Sequence, residues 1–366
     1  MAPSNKKSPD FVLIMTISIL LGIGIVMVFS SSAVWAFYKH KDSLYFLKRQ
    51  MAWCIIGLFA MVIMMNFSYW KLKRYSKLVL YGTLFLLIIV LIPGIGIELN
   101  YARRWIGIGS ITVQPSEIAK MGIILFMASS LSKRQSEIKH LITGISPYLL
   151  ILGIVCSLIL KQPDLSTSVV IAATAMIMIF AAGARMSHMI MIGITSTLLG
   201  IYFILSEDYR LKRFISFMNP WADPKDTGYH IIQSLYALGS GGILGLGLGK
   251  SRQKFFYLPE PQTDFIFSIL GEELGFIGGF IVIFLFIIFV WRGFKIALRA
   301  PDLFGCLLAM GITTMIGLQA IINLAVVTAS IPVTGIPLPF ISFGGSSLVL
   351  TLAGVGILLN ISKYTV

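Results

Sequence analysis

Asp264 is the residue whose type and position most favour chemistry. It lies in the run 257–267 (YLPEPQTDFIF), where a polar loop passes into an apolar segment long enough to cross a membrane. An ionised carboxylate at a membrane boundary is costly unless it faces a water-filled cavity or a partner, so such residues commonly mark functional sites. We therefore predict that Asp264 is the catalytic group.

Four further polar side chains lie near the predicted ends of apolar segments. Arg104 and Trp105 belong to the stretch 100–107, ahead of the segment that begins near Glu117. Glu117 and Lys120 are three residues apart and therefore share one helix face, where they can neutralise each other. A structural ion pair and a place in a binding site are equally good interpretations of that pair.

The spacing of three other acidic residues along predicted helices indicates where their side chains lie. Asp164 follows Pro163, and because proline suits the first helical turn and aspartate complements a helix N-terminus, capping is its favoured role. Glu272 follows Asp264 by eight residues, which on a continuous helix places it about 12 Å deeper and about 80° round. We expect Glu272 to line the same cavity, whereas Glu273, about 180° round, points away.

Two irregular segments are rich in glycine or proline. The run 239–249 has six glycines, but it follows no parallel strand, so close packing or a re-entrant half-helix is favoured over phosphate binding. The run 331–347 has three prolines and three glycines and cannot form a continuous helix. Irregular backbone at membrane depth is tolerated only where it is buried or lines water, so we predict that this run forms a cavity wall.

The cysteines and histidines exclude several classes of site. Cys54, Cys156 and Cys306 lie far apart in apolar segments, and the four histidines are equally scattered. The sequence contains no Walker loop, dinucleotide-binding glycine motif or nucleophile elbow in a suitable setting. We expect neither a tightly bound zinc ion nor an organic cofactor.

The elements that must position these residues are membrane helices. Of 366 residues, 57% are hydrophobic and only 12% are charged. Segments of roughly 17 to 25 residues can cross a bilayer, and such segments recur near 11–30, 51–66, 78–97, 117–132, 144–160, 165–183, 189–205, 264–291, 303–328 and 346–361. The sequence predicts one all-α polytopic domain over residues 1–366, with about ten transmembrane helices and a large loop, 206–263, between the seventh and eighth. The first segment is too long for a cleavable signal and should remain as a helix.

The distribution of basic residues predicts the orientation. Fourteen Lys and Arg residues flank the helix ends on the side of the termini, against seven on the opposite side once the long loop is set aside. Short loops rich in Lys and Arg stay inside, so both termini are predicted to be cytoplasmic. The net charge of +14 then fits membrane lipids and, on the outer side, a phosphate-bearing ligand rather than nucleic acid.

A series of short motifs resembles a known family. The motifs are RWI at 104–106, QPSE at 114–117, QPDL at 162–165, PEPQTDFIF at 259–267, EELG at 272–275 and TGIPLPF at 334–340. In this order they resemble the SEDS proteins (shape, elongation, division and sporulation), the FtsW/RodA/SpoVE group, over nearly the whole chain and closest to the SpoVE and FtsW branch. Ser166 and Ala329 depart from the residues usual there, and both leave the charged positions unchanged.

The resemblance implies a glycosyltransferase of the bacterial cytoplasmic membrane. Such an enzyme polymerises lipid II, a disaccharide peptide on undecaprenyl pyrophosphate, into β-1,4 glycan strands on the outer face. The resemblance also implies a class B penicillin-binding protein as partner and Asp264 as an essential residue. An α-linked donor that gives a β bond is inverted, which needs one base to deprotonate the acceptor hydroxyl. We assign that role to Asp264, whose pKa partial desolvation would raise.

The leaving pyrophosphate needs positive charge. The candidates are basic side chains, of which we expect Arg104 and Lys120 to matter most, or a divalent ion such as Mg²⁺ or Mn²⁺. The loop 206–263 is expected to hold the lipid or the growing glycan. Trp105 could stack on a sugar, although interfacial anchoring is favoured. The predicted substrate contacts are Arg104, Trp105, Glu117, Lys120, Asp164, Arg210, Lys250, Arg252, Glu260 and Glu272.

Two other classes of function remain open at this point. Ten helices with polar residues near the outer side could form a lipid II flippase, although the ionisable residues crowd one half of the path. A non-catalytic scaffold that activates a penicillin-binding protein would leave Asp264 with a structural role.

Overall fold

Helices make up most of the fold. The computed structural model describes residues 7–99, 102–108, 111–226 and 228–365, which form twelve α-helices and three short strands. The helices are α1 (Phe11–His40), α2 (Tyr45–Asn66), α3 (Tyr69–Ile89), α4 (Pro115–Leu131), α5 (Ser146–Leu160), α6 (Leu165–Ala181), α7 (Met186–Leu205), α8 (Asp208–Met218), α9 (Tyr229–Gly241), α10 (Ile266–Leu298), α11 (Leu303–Val327) and α12 (Gly345–Ser362). The strands are β1 (Ile97–Leu99), β2 (Ala102–Ile108) and β3 (Ile111–Val113).

Ten of these helices correspond to the ten predicted membrane segments. Within the described residues, seven helical stretches are long and apolar enough to cross a bilayer: α1, α2, Leu141–Leu160, α7, α10, α11 and α12. The other three are α3, with four basic residues in its first turns, and α4 and α6, each of 17 residues. The helical membrane fold is thus confirmed, and α8 and α9 lie within the predicted loop.

The segment predicted for α3 is displaced at both ends. The segment was placed at 78–97, whereas α3 begins at Tyr69 and ends at Ile89. Its first turns contain four basic residues, Lys71, Lys73, Arg74 and Lys77. A hydropathy criterion leaves such residues outside an apolar segment, although they suit the end of a helix at the membrane surface.

A small antiparallel sheet between α3 and α4 was not predicted. Its strand order is β1-β2-β3, with Ile97 opposite Trp105 and Gly107 opposite Thr112. β1 and β3 have three residues each, and the seven residues of β2 (ARRWIGI) do not alternate between polar and apolar, so the sequence has no strand periodicity here. Because successive side chains of a strand point to opposite faces, Arg104 projects from the face opposite to that of its neighbours in β2.

Polar contacts gather several helix ends at one face of the bundle. Asp10, which caps α1 by accepting from the Leu13 N–H (2.9 Å), pairs with Arg292 near the end of α10. The Tyr69 hydroxyl at the start of α3 donates to Asp302 at the start of α11 (2.6 Å). We call this the terminal face, because α1 begins and α12 ends here.

The opposite face lies one membrane thickness away. Along α11, Asn323 is 20 residues beyond Leu303, which at 1.5 Å per residue is about 30 Å, the thickness of a hydrocarbon core. Residues that contact Asn323 therefore lie at the far face, which we call the loop face.

Helix α10 is broken at Gly275, whose φ of 67° and ψ of −166° are not helical. The glycine-rich segment packs backbone to backbone against this break: the Leu246 N–H donates to the Glu272 carbonyl (3.0 Å) and the Phe276 N–H to the Gly242 carbonyl (2.8 Å). A Cβ on Gly275 would lie 2.3 Å from the Gly245 nitrogen. Close packing, one of the two roles favoured for this segment over phosphate binding, is therefore confirmed.

Candidate active site

The backbone around Asp264 is fixed to the irregular 331–344 loop. The Asn323 side-chain amide donates to the carbonyls of Asp264 and Ile336, at 2.8 Å each. The Ser342 hydroxyl donates to the Thr263 carbonyl (2.6 Å). Asp264 therefore sits at the junction of two irregular segments on the loop face, and the prediction that the second segment forms a wall there is consistent with this placement.

The Asp264 carboxylate is partly buried beside Gly335. A Cβ on Gly335, whose φ is 74°, would lie 3.5 Å from Asp264 Oδ2. The pKa of Asp264 is raised from 3.8 to about 6, chiefly by burial and also by the neighbouring Glu260 carboxylate, while the positive charges of Arg213 and Arg104 partly offset that rise. A carboxylate with a pKa near 6 is ionised at neutral pH and is a stronger base than an ordinary aspartate.

Arg104 is held in place by carbonyl groups of the turn between α5 and α6. Its Nε donates to the Gln162 carbonyl (2.8 Å) and an Nη to the Pro163 carbonyl (2.5 Å). Neither of these bonds is to a carboxylate, so they do not neutralise the positive charge of Arg104. That charge is close enough to Asp264 to lower the pKa of its carboxyl group. The structure thus brings the predicted cation and the predicted base to one site.

Asp164 acts as the cap of α6. One carboxylate oxygen accepts from the Thr167 N–H (3.0 Å) and the other from the Thr167 hydroxyl (2.8 Å). Capping, its favoured role, is confirmed, and these bonds already occupy the carboxylate expected to bind substrate. Ser166, the residue that departs from the family pattern, donates to the Thr334 carbonyl (2.7 Å), which ties the start of α6 to the 331–344 loop.

Glu117 and Lys120 form a buried ion pair on α4. Lys120 Nζ lies 2.8 Å from Glu117 Oε1, and the two residues are 7% and 5% exposed. The predicted mutual neutralisation is confirmed.

The expectation that Glu272 shares a cavity with Asp264 is wrong. Glu272 is 1% exposed and accepts from the Ser251 hydroxyl (2.5 Å) and the Arg252 N–H (2.9 Å). Glu273, expected to point away, reaches the same loop and lies 2.9 Å from Lys254 Nζ. A helical wheel places the two glutamates on different faces of α10. The loop folds back along α10 and covers both faces, so both side chains contact it.

The remaining predicted contacts differ in their exposure to solvent. Lys250, Arg252 and Glu260 are exposed in the segment that leads to Asp264, and Trp105 is half-buried in the sheet. Arg210 lies on α8, and its side chain falls outside the part of the chain that the structure describes.

Comparison with known proteins decides the family. The family model for FtsW, RodA and SpoVE, described as "Cell cycle protein", matches residues 11–366. Stage V sporulation protein E of Bacillus subtilis is 51% identical over 362 residues, which are 99% of each chain. The chain belongs to the FtsW/RodA/SpoVE family. The resemblance found in the motifs is thereby confirmed.

Other relatives of this FtsW/RodA/SpoVE protein agree in fold and length. A probable peptidoglycan glycosyltransferase FtsW of Geobacter sulfurreducens is 46% identical and covers 96% of this chain and 95% of its own. A chain from the structure described as "Structural coordination of polymerization and crosslinking by a peptidoglycan synthase complex" superposes with a TM-score of 0.80 at 28% identity, over 97% and 98% of the two chains. The crystal structure of Thermus thermophilus RodA gives 0.71 at 28% identity, over 97% of each.

Two residues of the site in this FtsW/RodA/SpoVE protein were not predicted from the sequence. Asn323 joins the two irregular segments, and its signal was an amide side chain within a mostly apolar helix that also contains Gln319. His230 stacks on Phe265, with ring centroids 5.9 Å apart, and its desolvation lowers the pKa of the imidazole. Nothing in the sequence distinguishes His230 from the other scattered histidines.

The described residues contain no group of three or more His, Cys, Asp and Glu side chains arranged to hold a metal ion. Asp264 and Glu260 are close enough for one charge to affect the other. Two carboxylates suffice for an ion of the Mg²⁺ type only when substrate phosphates supply further ligands. The donor set therefore does not fit a resident metal held by the protein alone.

Proposed function

We propose that this protein is a peptidoglycan glycosyltransferase that polymerises lipid II into β-1,4 glycan strands, with Asp264 as the catalytic base. The observation that carries the proposal is the partly buried Asp264 carboxylate on the loop face, with a pKa raised to about 6. Beside it lies Arg104, whose guanidinium donates to two backbone carbonyls, which do not neutralise its positive charge. The names of the relatives, which include probable peptidoglycan glycosyltransferases, support the same class of reaction.

The reaction is a single displacement with inversion. The acceptor hydroxyl oxygen attacks the anomeric carbon of the donor, its proton passes to the Asp264 carboxylate, and the bond from that carbon to the pyrophosphate oxygen breaks. The polyprenyl pyrophosphate leaves with the bonding electrons. Asp264 must be ionised to act, and a pKa near 6 keeps it ionised at neutral pH while increasing its basicity.

Arg104 is the residue best placed to stabilise the leaving group. A planar guanidinium suits phosphate oxygens, and its bonds to the Gln162 and Pro163 carbonyls fix its position before substrate arrives. Lys250 and Arg252 are exposed on the segment that leads to Asp264 and extend the positive surface toward the lipid head group. Lys120 is neutralised by Glu117, which makes its contribution to the leaving group smaller than that of Arg104.

A divalent cation belongs to this proposal as a companion of the substrate. An ion of the Mg²⁺ or Mn²⁺ type bound to the pyrophosphate needs only one or two protein carboxylates, and Glu260 is the exposed acidic side chain next to Asp264. Its chemistry would be neutralisation of the charge that develops on the leaving group. Polymerisation measured with and without chelator tests this point.

The orientation completes the proposal. The terminal face is assigned to the cytoplasm because basic residues concentrate there, and the loop face, with Asp264, to the outside. The crosslinking partner is proposed to be a class B penicillin-binding protein, in keeping with the synthase complex to which this chain is structurally similar. Labelling of a cysteine introduced at Glu260 by a membrane-impermeant reagent tests the orientation in intact cells.

One assay distinguishes the enzyme from a carrier or a scaffold. Purified protein is incubated with fluorescent lipid II in detergent, and glycan chains are resolved by gel electrophoresis, with folded Asp264→Ala alongside. Chains from the parent and none from the variant are expected. Lipid movement across vesicles without chains would instead indicate a flippase, and chains that appear only through a partner's own active site would indicate a scaffold.

A further inference from the structure

We propose that the buried contacts of Glu272 and Glu273 with Ser251 and Lys254 form a clasp that positions the catalytic Asp264. This inference rests on the proposed function for its effect on the reaction, although its effect on the Asp264 segment can be measured without any activity. Here the clasp means these four side chains, and the Asp264 loop means residues 251–264.

The clasp closes a ring of backbone with Asp264 at its centre. Lys254 precedes Asp264 by ten residues and Glu273 follows it by nine. The Lys254–Glu273 ion pair (2.9 Å) therefore closes a 20-residue ring made of the loop and the first part of α10. Closing a ring removes conformational freedom from every residue within it.

All the polar groups of the clasp have partners. Lys254 Nζ donates to Glu273 Oε1 (2.9 Å), the Gly249 carbonyl (2.6 Å) and the Ser30 hydroxyl (3.3 Å), which accounts for its three protons. The other carboxylate, Glu272, accepts from Ser251 and from the backbone of Arg252 and Gln253. Fully satisfied buried networks specify one arrangement of the surrounding chain.

The clasp is buried and therefore insulated from solvent. Glu273 is 0% exposed, Glu272 1%, Ser251 0% and Lys254 5%. Removing one partner of such an ion pair leaves an uncompensated buried charge and is more damaging than removing both. A single variant of Lys254 or Glu273 should therefore lose stability, whereas the double variant should keep most of it. Any effect that remains in the double variant then reports on the positioning of Asp264 rather than on folding.

Turns transmit the constraint from the clasp to Asp264. The Phe255 N–H donates to the Arg252 carbonyl (3.1 Å), the Leu258 N–H to the Gln253 carbonyl (3.0 Å) and the Thr263 N–H to the Glu260 carbonyl (3.1 Å). Leu258, midway along the loop, is 1% exposed. The loop is thus a chain of hydrogen-bonded turns between two fixed ends, the clasp at one and Asn323 with Ser342 at the other.

The test compares Lys254→Met, Glu273→Gln and the double variant with a matched pair on the protein surface. Lys48 and Asp42 form an exposed ion pair (2.8 Å), so Lys48→Met with Asp42→Asn is the control. Three measurements are made on each purified protein: the Tm, the amide hydrogen exchange of residues 255–264, and the steady-state kinetics with fluorescent lipid II (kcat and KM) as a function of pH.

We expect each single variant to lower the Tm and the double variant to regain most of it. In the double variant, exchange of residues 255–264 should accelerate and kcat should fall about 10- to 100-fold, as for a small displacement of a catalytic group, with a smaller change in KM. The acid limb of its pH–rate profile should move to lower pH as Asp264 becomes better solvated. The control should match the parent in all three measurements.

Exchange identical to the parent in a double variant of restored Tm would overturn the clasp, whether or not the protein polymerises lipid II. Faster exchange with an unchanged kcat and pH profile would also overturn it, because the clasp would then be only structural. If the parent makes no glycan, the proposed function fails, and hydrogen exchange alone then decides whether the clasp fixes the Asp264 loop. Should the double variant not fold, Ser30→Ala, which removes one hydroxyl donor to Glu273 (2.7 Å), provides the milder variant for the same measurements.

Discussion

Replacing Asp264 with its neutral isostere should stabilise the protein above pH 6 while abolishing polymerisation. Burial raises the pKa of Asp264 from 3.8 to about 6. A group whose pKa is raised on folding stabilises the fold fully only below its unfolded pKa, and this stability is lost as the pH rises through the folded pKa. Asn does not titrate, so Asp264→Asn escapes that loss.

The magnitude follows from the pKa difference. A shift of about two units at 1.36 kcal/mol each gives about 3 kcal/mol at pH 8, an upper bound because Asp264 is partly exposed to solvent. At pH 4.5 about 1 kcal/mol of that loss has occurred, so the advantage of Asn over Asp should grow by about 2 kcal/mol between pH 4.5 and pH 8. For a chain of this size that corresponds to roughly 2–4 °C in Tm.

The assay is thermal unfolding in detergent followed by tryptophan fluorescence, with parent and variant melted side by side at pH 4.5 and pH 8. Gly22→Ala is a suitable control, because a Cβ there meets nothing within 4 Å and nothing titrates. Two results would refute the reasoning. One is a Tm difference between Asp264→Asn and the parent that is the same at both pH values, and the other is a parent that is more stable than the variant at pH 8.

The remaining predictions concern the cation, the buried pair and the helix break. Arg104→Lys should raise the KM for lipid II and lower kcat, about tenfold together, because an ammonium cannot reproduce a guanidinium that spans two carbonyls; unchanged steady-state kinetics would contradict this. Lys120→Met should destabilise the protein by about 3–5 kcal/mol because Glu117 is left buried without a cation, whereas adding Glu117→Gln should restore most of the Tm; a double variant as unstable as the single would contradict it. Gly275→Ala should lower the Tm and the yield of folded protein, since its φ is 67° and a Cβ would clash with backbone, while Gly200→Ala, with open space around it, should leave the Tm within about 2 °C of the parent. Equal Tm values for the two alanine variants would show that α10 tolerates a regular helix at the break.

The sequence predicted the membrane helices well because hydropathy reports directly on burial in lipid. All ten segments correspond to helices, and the helix cap formed by Asp164 was recognised from local rules. The start of α3 was placed too late because basic residues in its first turns lower the hydropathy although they do not break a helix.

Features that depend on the approach of distant segments could not be predicted. The break at Gly275 requires the glycine-rich segment to pack against it, and only three-dimensional contacts reveal that neighbour. The helical wheel separated Glu272 from Glu273, but a loop that folds back onto α10 contacts both. Asp264 itself was identified from the cost of a charge at a membrane boundary, whereas the contact by which Asn323 fixes the Asp264 backbone became visible only in the fold.

The most direct test of the central claim is the pH dependence of kcat/KM for lipid II polymerisation by the purified protein. If Asp264 is the base, the rate must fall as the carboxylate is protonated, so the acid limb should have an apparent pKa of about 6. Asp264→Glu, if active, should have a displaced limb, and folded Asp264→Asn should make no glycan at any pH. An acid limb near pH 4, or polymerisation by Asp264→Asn at a rate comparable to that of the parent, would contradict the assignment.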